Sequence, residues 1–193
     1  VADASSPDAT AERARDEGAR VVTAPKGRGA QLHAGACAAR GDVMLFLHAD
    51  TSLDDRARDA IERALAAPDV VGGNFFLRFV PDVGWARVFT WANDARRRLL
   101  RVYYGDSAPF VRSEVYRRLG GFRALPLMED YDFLRRLERA GRTVYVRDVE
   151  VRASARRFVA RPLRTLAAWT AIQALYTLGA HPARLARLYP DLR

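Results

Sequence analysis

The chain has 193 residues, of which 49% are hydrophobic and 28% are charged, a composition that suits one globular domain and excludes an intrinsically disordered chain. The formal charge is +9, and Lys26 is the only lysine among 32 basic residues. Arginine binds phosphate well, so this charge admits nucleic acid, anionic lipid or a phosphorylated small ligand, although a GC-rich genome would also favour arginine. The arginines form no nucleic-acid-binding motif, and we expect no nucleic-acid partner.

The single cysteine, Cys37, cannot form an internal disulfide, and we interpret it as a buried thiol in a reducing compartment. No secretory signal peptide is visible. The most apolar long segment, 163–180, contains Arg164 and is shorter than a membrane span. These features predict a cytoplasmic protein, either soluble or attached peripherally at the inner face of the membrane.

Helix and strand patterns alternate in the first half of the chain. A continuous apolar run ends at His48 and is predicted to be a strand buried on both faces of a parallel sheet. Alternation of this kind predicts an α/β fold with a mostly parallel sheet flanked by helices. The predicted elements are helix 8–18, strand 19–24, helix 28–40, strand 42–50 and helix 54–67.

The second half has longer elements and ends in helices rich in Arg, Leu, Trp and Tyr. We expect a main domain at 1–158 and a C-terminal helical extension at 159–193, packed on the same domain. Trp85, Trp91 and Trp169 are interpreted as core residues. The predicted elements are strand 70–80, helix 84–104, strand 107–112, helix 113–120, helix 128–141 and strand 142–153.

The first residues, VADASSPDAT, are typical of the exit from a strand, but only Val1 and Ala2 precede the polar residues. We therefore expect that a first strand and helix, about 20–30 residues, are missing from this chain.

Three polar clusters follow predicted strands, where ligands bind in open α/β sheets. They are Asp3 with Ser5 and Ser6, the segment 26–29 (KGRG), and His48 with Asp50. Together they could hold a base and ribose, a phosphate, and a divalent cation that also binds the phosphates. A His-x-Asp pair alone is a weak signal for a metal, because two polar residues are also common at an ordinary strand end.

A fourth cluster, PLMEDYD (126–132), places Glu129, Asp130 and Asp132 at the start of a helix. Carboxylates favour that position for electrostatic reasons alone. Two adjacent carboxylates also raise each other's pKa, which suits a general base near neutral pH. Both interpretations stay open on the residues themselves.

In combination, these motifs resemble those of family-2 glycosyltransferases with the GT-A fold, in a bacterial subgroup whose metal motif reads L-H-A-D-T. The resemblance extends from Val1 to about Tyr189. It rests on five segments in order: VADASSPDAT, GRGAQLHAGACAARGD, LFLHADT, GDSAPFVRSEVYRRLGGF and PLMEDYDFLRRL. SARRF (154–158) takes the place of a late basic-aromatic motif.

The resemblance implies an inverting transfer of a sugar from a UDP-, GDP- or dTDP-linked donor to a hydroxyl acceptor, with Mn²⁺ or Mg²⁺. Asp130 would be the catalytic base and Glu129 would position or tune it. Asp50 and His48 would bind the metal, and Gly105 and Asp106 the acceptor. The nucleotide-binding residues would be Asp3, Ser5, Arg28, Gly29, Asp50, Arg156 and Arg157.

Other functions stay open. The chain could be a non-catalytic nucleotide- or partner-binding domain of the same fold, or a metal-dependent nucleotidyltransferase. A haloacid-dehalogenase-like phosphatase is disfavoured, because His48 occupies the place of its nucleophilic aspartate. The C-terminal helices suit either an interfacial helix near a lipid-linked acceptor or a packed helix with a basic outer face. Two chains could also pair as a homodimer.

Overall fold

The structure is a computed structural model, and it describes residues 1–156 and 161–188. Helices and strands alternate in the first half, as predicted. In chain order the elements are β1 (Ala2–Asp3), α1 (Thr10–Asp16), β2 (Val22–Thr23), α2 (Arg28–Ala38), β3 (Val43–Leu45), β4 (Thr51–Leu53) and α3 (Ala57–Leu65).

The second half contains the two longest strands and the longest helices. Its elements are β5 (Val70–Val80), α4 (Gly84–Leu100), a 3-10 turn (Gly105–Ser107), β6 (Phe110–Arg112), α5 (Ser113–Arg118), α6 (Glu129–Ala140), β7 (Arg142–Ser154), α7 (Pro162–Thr177) and α8 (Pro182–Arg187).

Within the described residues, the strands form a parallel pair, β1–β2, and a five-stranded sheet in the order β3-β6-β5-β7-β4. The α/β class is confirmed. The sheet, however, is mixed rather than mostly parallel, because only β5 and β7 run parallel in it. A helix between two strands does not make them parallel by itself. The irregular segment 101–109 follows α4, and the chain enters β6 from the end that makes it antiparallel to β5.

The apolar run around β3 is buried on one face only, which corrects the prediction for 42–50. Met44 and Phe46 are buried, whereas Leu45 and Leu47 are exposed. Within the described chain β3 pairs only with β6, so it is an edge strand rather than a central one. The chain then turns after His48, whose backbone oxygen accepts bonds from Thr51, and forms the short unpredicted strand β4.

The core lies on both faces of the five-stranded sheet. Phe110 and Val111 are neighbours on β6 and therefore point to opposite faces. The Phe110 side packs with residues of α3, α4, β5 and β7, including Ile61 and Phe89. The Val111 side packs with residues of α2, α5 and α6, including Phe133. Helices thus cover both faces.

The C-terminal helices pack against the same body. Trp169 on α7 meets Phe89 on α4 at 5.6 Å between ring centroids, and Tyr176 meets Tyr131 on α6 at 5.7 Å. The division at 158 and 159 falls outside the described residues and stays a prediction. Among the helices of the described ranges, none is long and apolar enough to cross a membrane.

Two side-chain predictions are wrong. Trp91 is 71% exposed and Trp85 is 38% exposed, because α4 turns its other side toward the core; Trp169 is partly buried. Cys37 is exposed as well, since the small residues of α2 leave its thiol at the surface, 3.5 Å from Nε2 of His33.

Candidate functional site

The loop after β1 is held by a buried carboxylate. Asp3 accepts hydrogen bonds from the backbone N of Ser6 at 3.1 Å and from its hydroxyl at 2.6 Å. These bonds hold the pKa of Asp3 below its ordinary value, so the side chain is anionic. Ser5 is exposed and has a φ of 58°. The predicted pair Asp3 and Ser5 therefore lies in one tight turn, beside α2, whose Gln31 side chain donates to the carbonyl of Ala2.

The start of α2 is packed against the start of α6. A Cβ added at Gly29 would lie 2.5 Å from the backbone oxygen of Arg123 and 3.1 Å from side-chain carbons of Glu129. Only glycine leaves room for this approach. The sequence separates Arg28 and Glu129 by about a hundred residues, and this contact brings them together.

The two carboxylates in the first turn of α6 are almost completely buried. Glu129 is 2% exposed and Asp130 is 4% exposed. Arg28 forms an ion pair with both: its Nε bonds to Glu129, and its Nη2 lies 3.3 Å from Oδ2 of Asp130. Asp130 also accepts the backbone N–H of Gly105 at 2.9 Å. The backbone N–H of Tyr131 donates to Oδ1 of Asp130 at 2.7 Å, so the predicted catalytic pair is held by one arginine and two backbone amides.

Burial and the neighbouring charge of Asp130 raise the pKa of Glu129, and Arg28 opposes this shift. Burial disfavours the charged form of Arg28, but the charges of Asp130 and Glu129 outweigh it and raise the pKa of the guanidinium. The cluster is therefore an electrostatic unit in which two buried carboxyl groups share one cation.

The segment after α4 closes this cluster. A Cβ at Gly105 would lie 2.9 Å from Nε2 of His48 and 3.2 Å from Oδ2 of Asp130, so His48 and Asp130 approach the same glycine. Burial raises the pKa of Asp106, as does Asp130, against the charges of His48, Arg96 and Arg28. The predicted acceptor residues Gly105 and Asp106 thus lie beside the predicted base.

Sequence reasoning missed Arg96. Its guanidinium lies 4.6 Å from the ring centroid of Tyr104, and its charge acts on Asp106. It is the first of three consecutive arginines, and nothing in that run indicates which one faces the site. The turn of α4 decides it: Arg97 is buried in the core and Arg98 is exposed.

A second part of the site is an open cleft of about 670 Å³ beside β4 and the end of β7. It is lined by Asp50 and Arg156, two residues that we predict to bind the nucleotide, and by Arg152, which the sequence analysis did not single out. Its remaining lining residues are Thr51, Ser52, Val80, Pro81 and Ser154. Arg157 lies outside the described residues.

Few side chains in these two regions could bind the predicted divalent cation. Across residues 1–156 and 161–188, no three His, Cys, Asp or Glu side chains converge to form a complete metal site. A cation that completes its shell with phosphate oxygens needs only one or two carboxylates, and Asp50 in the open cleft fits that requirement. His48 has a buried Nε2 with no hydrogen-bond partner in the described chain, which leaves it able to act as a ligand or as a contact for substrate.

Comparison with solved structures identifies the fold. The chain is similar to glucosyl-3-phosphoglycerate synthase from Mycobacterium tuberculosis, solved with Mn²⁺ and UDP-glucose, with 21% identity, a TM-score of 0.59 and coverage of 94% of this chain and 67% of that one. It is also similar to the mannosyltransferase PcManGT from Pyrobaculum calidifontis, solved with GDP-Man and Mn²⁺, with 20% identity, a TM-score of 0.61 and coverage of 98% and 59%.

A third similar structure is mannosyl-3-phosphoglycerate synthase from Rubrobacter xylanophilus, with 20% identity, a TM-score of 0.56 and coverage of 93% of this chain and 63% of that one. The chain therefore spans from 59% to 67% of the length of these three structures. At this identity the likeness establishes the fold, which is the GT-A fold.

No curated protein matches the chain in sequence. The family model described as glycosyl transferase family 2 matches residues 1–123, more than half of the chain. The matched part contains the Asp3 loop, the start of α2, the segment predicted to bind the metal and the Gly105–Asp106 segment. The chain thus belongs to glycosyl transferase family 2.

Proposed function

We propose that this protein is an inverting glycosyltransferase that moves a hexosyl group from a nucleotide-diphosphate donor to a hydroxyl acceptor. The observation that carries the proposal is the buried pair Glu129 and Asp130, held by Arg28 and by the amide of Gly105. Two buried anions beside one cation are costly for stability and are typical of catalytic centres.

Asp130 acts as the general base. It takes the proton of the acceptor hydroxyl while the hydroxyl oxygen forms a bond to the anomeric carbon of the donor sugar. The bond from that carbon to the phosphate oxygen breaks, and its electron pair leaves with the nucleoside diphosphate. A single displacement of this kind inverts the anomeric configuration.

The surrounding residues support this step. Glu129 is buried beside Asp130 and positions or tunes that base. Arg28 pairs with both carboxyl groups and offsets part of the charge of the cluster. Gly105 and Asp106 bind the acceptor next to the base.

The donor lies in the cleft and along α2. Asp3 and Ser5 contact the base or ribose, and Arg28 and Gly29 lie along the nucleotide. Arg156, with Arg157, stabilises the departing diphosphate by charge. Asp50, with His48, would hold the divalent cation.

Bound Mn²⁺ or Mg²⁺ would withdraw charge from the diphosphate and make it a better leaving group. Structures similar to this chain were solved with Mn²⁺ and UDP-glucose, with Mg²⁺ and UDP, and with Mn²⁺ and GDP-Man, which supports the proposed donor class and metal. The nucleotide, the acceptor, pairing of two chains and a cytoplasmic location all remain predictions.

Thermal unfolding with UDP-, GDP- and dTDP-sugars, each with and without Mn²⁺, tests the donor part. Metal-dependent stabilisation by one donor is expected, since a ligand that binds the native state raises its stability. A flat response across all donors would favour the non-catalytic alternative.

Asp130→Asn tests the base. We expect it to reduce the rate of nucleoside diphosphate release in the presence of acceptor by a factor of about 10²–10⁴, while donor binding is retained. Asp132→Asn is the matched control, because Asp132 lies in the same helical turn but bonds Arg136 and Arg123 instead. If Asp130→Asn retained transfer at the level of Asp132→Asn, Asp130 would not be the base.

A further inference from the structure

The outward side of α4 is apolar. Trp85, Val88, Trp91 and Leu99 are all exposed, Trp91 at 71% and Leu99 at 80%. At 100° per residue they lie on one side of the helix. The opposite side packs into the protein through Ala86, Phe89, Thr90 and Arg97.

The outward side of α7 is apolar as well. Leu163 and Leu166 are exposed and lie about 60° apart around the helix axis, on the side away from the buried Thr165 and Ile172. A helix at the surface of a globular protein normally presents polar residues to water. Between Thr165 and Thr177, α7 contains no charged residue at all.

These two sides belong to helices in contact. Phe89 of α4 and Trp169 of α7 meet edge to face at 5.6 Å between ring centroids. The apolar patch, defined here as the exposed side chains of Trp85, Val88, Trp91, Leu99, Leu163 and Leu166, is thus spread over two neighbouring elements.

The charge of the chain is concentrated in the same segments. The chain has 32 basic and 23 acidic residues. Segments 84–101 and 161–188 together contain nine of the basic residues and one of the acidic residues, so their net charge is +8, against +9 for the whole chain. Arg97 is buried and paired with Glu138. Arg87, Arg98 and Arg101 are mostly exposed, and each also has a carboxylate within 4 Å: Asp82, Asp94 and Glu138, respectively. The second segment has four exposed arginines and no carboxylate.

The geometry points to an anionic membrane surface as the partner of this patch; we propose that α4 and α7 dock on phospholipid headgroups, with tryptophan and leucine side chains inserted among them. Tryptophan and leucine on one side and arginine at the border are the composition that membrane interfaces favour. A second copy fits less well, because a two-fold interface would oppose two surfaces whose segments each carry a net charge of +8. This inference does not depend on the proposed transfer reaction.

Sedimentation of the full chain with vesicles tests the proposal. Vesicles of phosphatidylcholine with 30% phosphatidylserine should bind the protein at low salt, and pure phosphatidylcholine vesicles should bind it far more weakly. Binding to the anionic vesicles should fall as salt rises.

Two double variants separate the apolar and basic contributions. Trp91→Ser with Leu163→Ser should reduce vesicle affinity at least tenfold, because it removes two apolar side chains that would insert among the headgroups. Both side chains are exposed, so their loss should leave the fold intact. Arg87→Ser with Arg98→Ser should reduce it about 25-fold, at about fivefold per basic residue near an anionic surface, because both exposed arginines lie within about 40° of Trp91 around the axis of α4. The matched control is Arg117→Ser with Arg118→Ser, two exposed arginines in the last turn of α5, a helix outside the patch, and should bind as the wild type does.

Three results would overturn the proposal. The first is absence of binding to anionic vesicles by the folded wild-type chain at low salt. The second is equal loss of affinity in the control and in the Arg87 and Arg98 variant. The third is a dimer in light scattering that Trp91→Ser with Leu163→Ser converts to a monomer, which would assign the patch to a second copy.

Discussion

Replacing Arg28 with methionine removes the only cation that the structure pairs directly with Glu129 and Asp130 among the described residues. At 3.3 Å, a pair of unit charges such as Arg28 and Asp130 attracts by about 5 kcal/mol at an effective dielectric constant of about 20. The Arg28 side chain is 50% exposed, so solvent screening and the cost of desolvation offset most of that attraction. We expect a net loss of about 2 kcal/mol in the free energy of unfolding near neutral pH.

The loss should depend on pH. Burial and Asp130 hold the pKa of Glu129 above its ordinary value, so the folded chain binds more protons than the unfolded chain between the two values. Stability is therefore lost as pH rises through that window. Without Arg28 the pKa of Glu129 rises further and the window extends upward, which makes the variant more destabilised at pH 8 than at pH 5.

Urea unfolding of wild type and Arg28→Met at both pH values measures this. A loss of 2 kcal/mol corresponds to a midpoint lower by about 1 M urea at pH 8. Arg123→Met is the control. Asp132 keeps its bond to Arg136 at 2.7 Å when the exposed Arg123 is lost, so this variant should change the free energy of unfolding by less than about 0.5 kcal/mol. The reasoning is refuted if both variants lose the same stability, or if Arg28→Met loses as much at pH 5 as at pH 8.

Two further substitutions test neighbouring contacts. Gly105→Ala places a Cβ 2.9 Å from Nε2 of His48. We expect at least a tenfold loss in the rate of transfer, and a loss of about 1–2 kcal/mol in the free energy of unfolding measured with urea. An unchanged transfer rate would mean that the segment adjusts freely. Arg97→Met leaves Glu138 buried with Arg101 as its remaining cation, and should lower the free energy of unfolding by about 3 kcal/mol in the same assay. Arg98 is exposed, so Arg98→Met should lower it by less than about 0.5 kcal/mol. Similar losses in the two variants would contradict the buried network.

Much of the secondary structure follows from local pattern. Five elements lie within about four residues of their predicted bounds: the amphipathic helices α3, α4 and α6 and the long strands β5 and β7. Each is long enough to repeat its pattern of apolar residues, over two or more turns in a helix or over many residues in a strand. The short strand β4 was not predicted, since three residues carry no usable period. It forms because β7 offers a partner, with Ser52 opposite Arg152.

The candidate site divides in the same way. The residue types of the carboxylate pair and their position at a helix start are visible in the chain, and the order of the motifs was sufficient to indicate the family that the comparison confirms. The partners of the pair are not visible. Arg28 meets Glu129 across 101 positions, and Gly105 meets Asp130 across 25.

The sequence by itself determined the α/β class, the chain positions of most elements, and the adjacent carboxylates of α6, because these depend on periodicity and residue type within short windows. Tertiary structure alone decided the strand directions, the exposure of Trp91, and the convergence of His48, Gly105 and Asp130. These depend on which surfaces of distant segments pack together, and the free energy of such packing is a sum over the whole fold rather than a property of any one segment.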